Sequence, residues 1–150
     1  MIITSIVVNN SYVAKIDKNR LSKVSESVFE HFNITNAELS LSIVSDDQLR
    51  LLNKKYRAMD SLTDVLSFSS QENNPETGTR YYGDIAISYP AALRQFSGYH
   101  DSVIEEIILL TIHGILHLLG FDHQNPKEKE TMLSVQKSIF EKTVSNKKPE

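Results

Sequence analysis

The chain contains no cysteine. That excludes disulfides, a thiolate metal site and a cysteine nucleophile, and it fits a reducing compartment. The start is not that of a secreted protein: MIITSIVVNN lacks the basic opening, long apolar middle and small-residue cleavage site of a leader. No long apolar run is present either. The longest stretch, residues 107–120, is interrupted by Thr111, His113 and His117 and reads as a buried helix, not a membrane span. Positive charge is not in excess: 16 Lys and Arg against 19 Asp and Glu give −3, so contact with a nucleic acid has to come from a local patch. No internal repeat or low-complexity block interrupts the chain. These absences leave a soluble, intracellular (cytoplasmic) protein with no membrane partner. Its 150 residues, 40% of them hydrophobic, suffice for one domain with one buried core.

What is present is a succession of period-2 and helical patterns. Residues 2–9 are β-branched and predict a strand. Leu21, Val24, Val28, Phe29 and Phe32 predict a helix over 17–32 with one buried face. Residues 38–44 alternate polar and apolar, as a second strand does. Ser45 and Gln48 have capping-box spacing and open a helix to about Tyr56. Residues 64–69 and 82–88 are strand-like, joined by the turn-rich QENNPETGTR. Pro90 opens a short helix near 91–96. Ser102 and Glu105 repeat the capping-box spacing before a helix to about Leu119, where Gly120 is placed to stop it. Pro126 precedes an amphipathic helix over about 127–143, and the final SNKKPE is expected to fray. The crossover helix after the first strand favours a parallel pair, and residues 64–69 and 82–88 are close enough for a hairpin. The expected fold is α/β (α+β): a mixed sheet of about four strands packed with helices.

The segment His113-Gly-Ile-Leu-His117-Leu-Leu-Gly120-Phe-Asp122-His123 carries the chemistry. Residues i and i+4 share a helix face, so His113 and His117 can aim their rings at one point. Gly120 permits a positive φ, ends the helix and lets His123 return to that point. Three imidazoles with an open fourth position describe a catalytic zinc site, one Zn²⁺ per chain; a structural site usually has four protein ligands. The same spacing occurs in metzincin peptidases, which carry a glutamate base right after the first histidine. Here that residue is Gly114. Asp122, beside the third ligand, has three readings: it orients a ligand ring, transfers a proton, or simply forms the turn. His31 and His100 have no such company and read as surface residues.

Lys54, Lys55 and Arg57 place three cations near the end of the helix that closes at Tyr56. For the lysines, favourable interaction with the helix dipole is sufficient reason. Arg57 differs if it faces the metal, where it can bind a phosphate through two donors and stabilise charge developing on phosphorus. Glu105 and Glu106 read as first-turn partners of the helix dipole.

Taken together, these residues resemble the YbeY endoribonucleases, bacterial rRNA maturation factors. His113 to His123 matches that family's H-G-x-L-H-L-x-G-[YF]-D-H throughout. Leu52 to Phe68 resembles its L-N-x-x-Y-R-x-x-D-x-x-T-D-V-L-S-F, including Tyr56, Arg57, Asp60, Thr63 and Asp64, and Gly83-Asp84-Ile85 with Ile87-Ser88 is similar to its G-D-I-x-I-S. Ala58, Met59, Leu62 and Ser69 depart from the family's usual glycine, lysine and two prolines around the loop after Arg57. The resemblance implies a zincin-like fold, zinc on the three histidines, and Arg57 as the functional arginine. It implies hydrolysis of single-stranded RNA, with roles in 3′-end maturation of small-subunit rRNA and in ribosome quality control, and hence the small ribosomal subunit as partner. With Gly114 where peptidases keep their base, the proton acceptor stays open between Asp122 and the metal-activated water, and the RNA's own 2′-hydroxyl is an alternative nucleophile. Two other classes remain: a zinc-dependent peptidase or amidase, and a non-catalytic assembly factor whose metal is structural.

Overall fold

The computed structural model describes residues 1–56, 64–70, 72–95, 102–122 and 124–145. The order is β1 (Ile2–Val8), a 3-10 turn (Asn10–Lys15), α1 (Lys18–His31), β2 (Ala37–Val44), α2 (Asp46–Tyr56), β3 (Val65–Ser69), β4 (Arg80–Ser88), α3 (Tyr89–Gln95), α4 (Val103–Leu118) and α5 (Pro126–Ser145). The expected loop 58–63, His100 and the C-terminal 146–150 lie outside the described residues. Among the described residues no helix is long and apolar enough to cross a membrane.

The four strands form one mixed sheet in the order β1-β2-β4-β3. β1 and β4 both run parallel to β2, and β3 pairs antiparallel with β4. This is the mixed sheet of four strands that the sequence predicts. Alternation divides the two faces. Leu39, Leu41, Ile43, Val65, Ile85 and Ile87 point into the main core, which they build with Phe29 of α1, Ile112 and Ile115 of α4 and Met132 of α5. On the other face Val44, Leu66 and Ala86 form a smaller cluster under Leu49 of α2. The rest of that face is a groove of about 400 Å³ whose lining includes Ser40, Ser42, Phe68 and Asp84. There the Tyr81 hydroxyl donates to Asp84 and lies 2.8 Å from the Ser40 hydroxyl. Burial, with the Asp84 carboxylate, pushes the Tyr81 phenol up to about 12.

The helix ends follow local chemistry. Ser45 and Gln48 make the capping box: the Gln48 amide donates to the Ser45 hydroxyl at 3.2 Å, and the Ser45 amide donates to the Gln48 side chain at 3.0 Å. Ser102 does not behave alike. It stands before α4 as expected, in the extended backbone of a cap (φ −161°, ψ 163°), but makes no side-chain cap bond. Asn125 caps α5, accepting from the Glu128 amide at 2.8 Å.

A polar cluster joins α2 to the end of β4. Asp46 accepts from Arg94 at 2.8 and 3.1 Å and from the Ser88 hydroxyl at 2.6 Å, and Ser88 in turn caps α3 by accepting from the Ala91 amide at 3.1 Å. The Arg94 hydrogen bonds, then the one from Ser88, hold the Asp46 carboxyl below the usual carboxylate value. A depressed folded pKa means stability that is present above the unfolded value and lost as pH falls through the folded one. Asp46→Asn is therefore expected to unfold at lower urea than wild type at neutral pH and to match it once the pH is below that folded value. The gap is small because both partners are partly exposed. A gap that persists unchanged in acid would show that the charge contributes nothing.

Candidate functional site

α4 is apolar nearly all round, as a central helix must be. Ile107, Ile108, Leu110, Ile112, Ile115, Leu116 and Leu118 are all buried. His113 and His117 are its polar residues toward the C-terminal end, one turn apart on one face. His113 is buried and His117 half-buried. Their Nε2 atoms face each other at 3.0 Å, with the rings edge to face and 4.6 Å between centroids. Two nitrogens in that position share a hydrogen bond if one is protonated, or a cation if neither is. Two imidazoles bound tetrahedrally to one zinc ion would have nitrogens about 3.3 Å apart. The pair therefore fits a common ion with only a slight adjustment. The other ring nitrogen of His113, Nδ1, lies 2.9 Å from Oε1 of Gln136 on α5.

Past His117 the chain turns as the sequence predicts. Gly120 has φ +101°, its amide donates to the His117 carbonyl at 3.0 Å, and the Phe121 amide donates to the Leu116 carbonyl at 3.0 Å. This pair of bonds is a Schellman closure. The Phe121 ring packs on Phe32, the residue that ends α1, 5.6 Å between centroids, anchoring the turn. Asp122 follows, half-buried. His123 and Arg57 lie outside the described residues. Among the described residues, accordingly, no three His, Asp or Glu side chains gather as a metal-holding group.

Gly114 has a packing reason. A Cβ there would lie 2.9 Å from Cγ2 of Ile85, so the helix rests directly on β4. The Gly114 carbonyl also accepts from the Ser67 hydroxyl of β3 at 3.4 Å. A glutamate at this position would point into the sheet, away from any substrate.

A cleft of about 340 Å³ opens beside His113, with Asp64, Glu106, Lys129 and Gln136 among its lining. Glu106, read from sequence as a helix-dipole partner, is buried there. Gln136 was not singled out by the sequence reading, though a signal exists. Met132, Val135, Ile139 and Phe140 form the inward stripe of α5, and Gln136 interrupts that stripe with an amide.

The profile of the family described as Endoribonuclease YbeY matches residues 6–144. A protein of Persephonella marina named Endoribonuclease YbeY is 42% identical over 127 residues, 84% of this chain and 83% of its own length. Its namesake in Staphylococcus saprophyticus is 38% identical over 139 residues, covering 89% and 88%. A solution structure of a protein from Thermotoga maritima superposes with a TM-score of 0.62 at 25% identity, covering 95% of this chain and 90% of that one.

Proposed function

We propose, from the premise that this chain belongs to the Endoribonuclease YbeY family, that it is a zinc-dependent endoribonuclease cutting single-stranded RNA in the cytoplasm, with the 3′ end of small-subunit rRNA as its substrate. The observation that carries the reading is the convergence of the His113 and His117 Nε2 atoms at 3.0 Å on a rigid, buried helix. His123, three residues after Gly120, is assigned as the third ligand. A zinc ion bound there supplies Lewis acidity toward water and toward a phosphoryl oxygen. The chain's own residues do the rest. His113 and His117 present lone pairs from a helix buried against the sheet. Arg57 grips the scissile phosphate through two donors and offsets the charge that builds on it. Asp122, beside the third ligand, accepts the proton of the attacking group. Gly114 counts against a peptidase, since a glutamate base has no room at that position.

The test is cleavage of single-stranded RNA by the purified protein before and after chelation. Activity is expected to vanish with the metal and to return with added zinc, and casein is expected to stay intact. Full RNA cleavage after complete metal removal would overturn the reading. The ends of the product distinguish water from the ribose 2′-hydroxyl as the nucleophile.

A further inference from the structure

We infer that Gln136 is a positioning residue that sets the tautomer of His113 and thereby the strength of its metal bond. The inference rests on the histidine site proposed above and deepens it. A neutral imidazole carries one ring proton. If that proton sits on Nε2, the nitrogen facing His117 has no lone pair to give; if it sits on Nδ1, Nε2 is a ligand. The choice is made by whatever faces Nδ1. Here that group is the Gln136 side chain, 2.9 Å away, and an amide oxygen there accepts the Nδ1 proton.

The placement is built into the fold. His113 is buried on α4, and Gln136 is half-buried on the face of α5 that packs against α4. Met132 one turn before it and Ile139 one turn after it are both buried in the core. An amide in that stripe adds nothing to apolar packing. Its use is the hydrogen bond to His113, which holds the ring's rotation as well as its proton. Partners of this kind, behind a metal ligand, change metal affinity roughly 10–100-fold when removed.

Three proteins decide it: wild type, Gln136→Leu and Gln136→Glu. Leucine removes the acceptor and continues the apolar stripe, so that variant is expected to fold but to unfold somewhat below the wild-type temperature, because buried His113 loses that hydrogen bond. Glutamate restores an acceptor. The first readout is the imidazole nitrogen spectrum of each metal-free protein. His113 is expected to carry its proton on Nδ1 in wild type and Gln136→Glu, and to become a mixture of tautomers in Gln136→Leu. The second is zinc affinity by competition with a chromogenic chelator. A loss of roughly 10–100-fold is expected in Gln136→Leu, with wild-type affinity or better in Gln136→Glu. RNA cleavage by Gln136→Leu should recover at saturating zinc. Equal affinities and unchanged tautomers across the three would overturn the inference. If wild type binds no zinc, the histidine site itself is wrong, and the tautomer spectra still decide whether Gln136 orients His113.

Discussion

His117→Ala is expected to lower RNA cleavage by well over about a hundredfold, more than removing a residue that only supports a ligand, while the metal-free variant unfolds within about 1 kcal/mol of wild type. The second half follows from where His117 sits. It is half-buried in the last turn of α4, while the buried contacts of that turn come from Ile115, Leu116 and Leu118. Alanine is the better helix former by about half a kcal/mol, which offsets what little packing is lost. The difference should emerge only with zinc. An ion that binds the folded state at a hundred times its dissociation constant adds about 2.7 kcal/mol. Wild type should gain such an increment, and His117→Ala should lose most of it. Two measurements suffice: denaturation midpoints with and without zinc, and cleavage rate at saturating RNA. A wild type that folds only with zinc, beside a His117→Ala that folds neither with it nor without it, would favour a structural ion and a non-catalytic assembly factor. A variant that folds and still cuts would remove His117 from the site.

The sequence carried the fold where a residue pattern has one geometric reading. Period-2 alternation at 38–44 placed β2, and the i, i+4 histidines followed by Gly120 described both the facing rings and the turn beyond them. It was less informative where the same pattern has two outcomes. Ser45 and Ser102 have the same spacing to Gln48 and Glu105, yet only Ser45 closes its box. Spacing says that a cap is possible; Ser102 has the extended backbone usual for a cap, and nothing in the structure explains why its side chain makes no such bond. The 3-10 turn after β1 has no apolar period to read; it starts from Asn9 accepting the Ser11 amide at 2.9 Å. β4 begins at Arg80, two residues earlier than alternation suggests, because Tyr82 is inserted opposite the Glu38/Leu39 step of β2 and inverts the phase. Glu106 and Gln136 were hidden for a different reason. Which polar residue on a helix faces a cleft depends on partners distant in sequence, and one-dimensional periodicity registers such a residue only as a flaw in the stripe.

That inserted residue leads to the largest stability effect. Gly83→Ala is expected to lower stability by about 3 kcal/mol or more. Gly83 follows the insertion with φ +141°, a backbone conformation that costs other residues about 1–3 kcal/mol. A Cβ there would also stand 2.1 Å from the Phe68 carbonyl oxygen of β3 and 3.0 Å from Cδ2 of Leu118. Backbone cannot yield as a flexible side-chain tip can, and overpacking of this kind adds roughly another 1–3 kcal/mol. Gly78 supplies the internal control. It too has positive φ, +74°, but a Cβ there meets nothing within 4 Å. Gly78→Ala should therefore show the backbone term alone, about 1 kcal/mol. Urea midpoints of the two variants separate conformational strain from collision, and equal losses would mean that the approach of β3 and α4 is not what requires glycine at 83. The consequence reaches the histidines, because Leu118 is the residue after His117. If α4 must lift to admit the new methyl, the facing of His113 and His117 is disturbed with it. Gly83→Ala protein that still folds is then expected to bind zinc more weakly than Gly78→Ala, although residue 83 contributes no ligand.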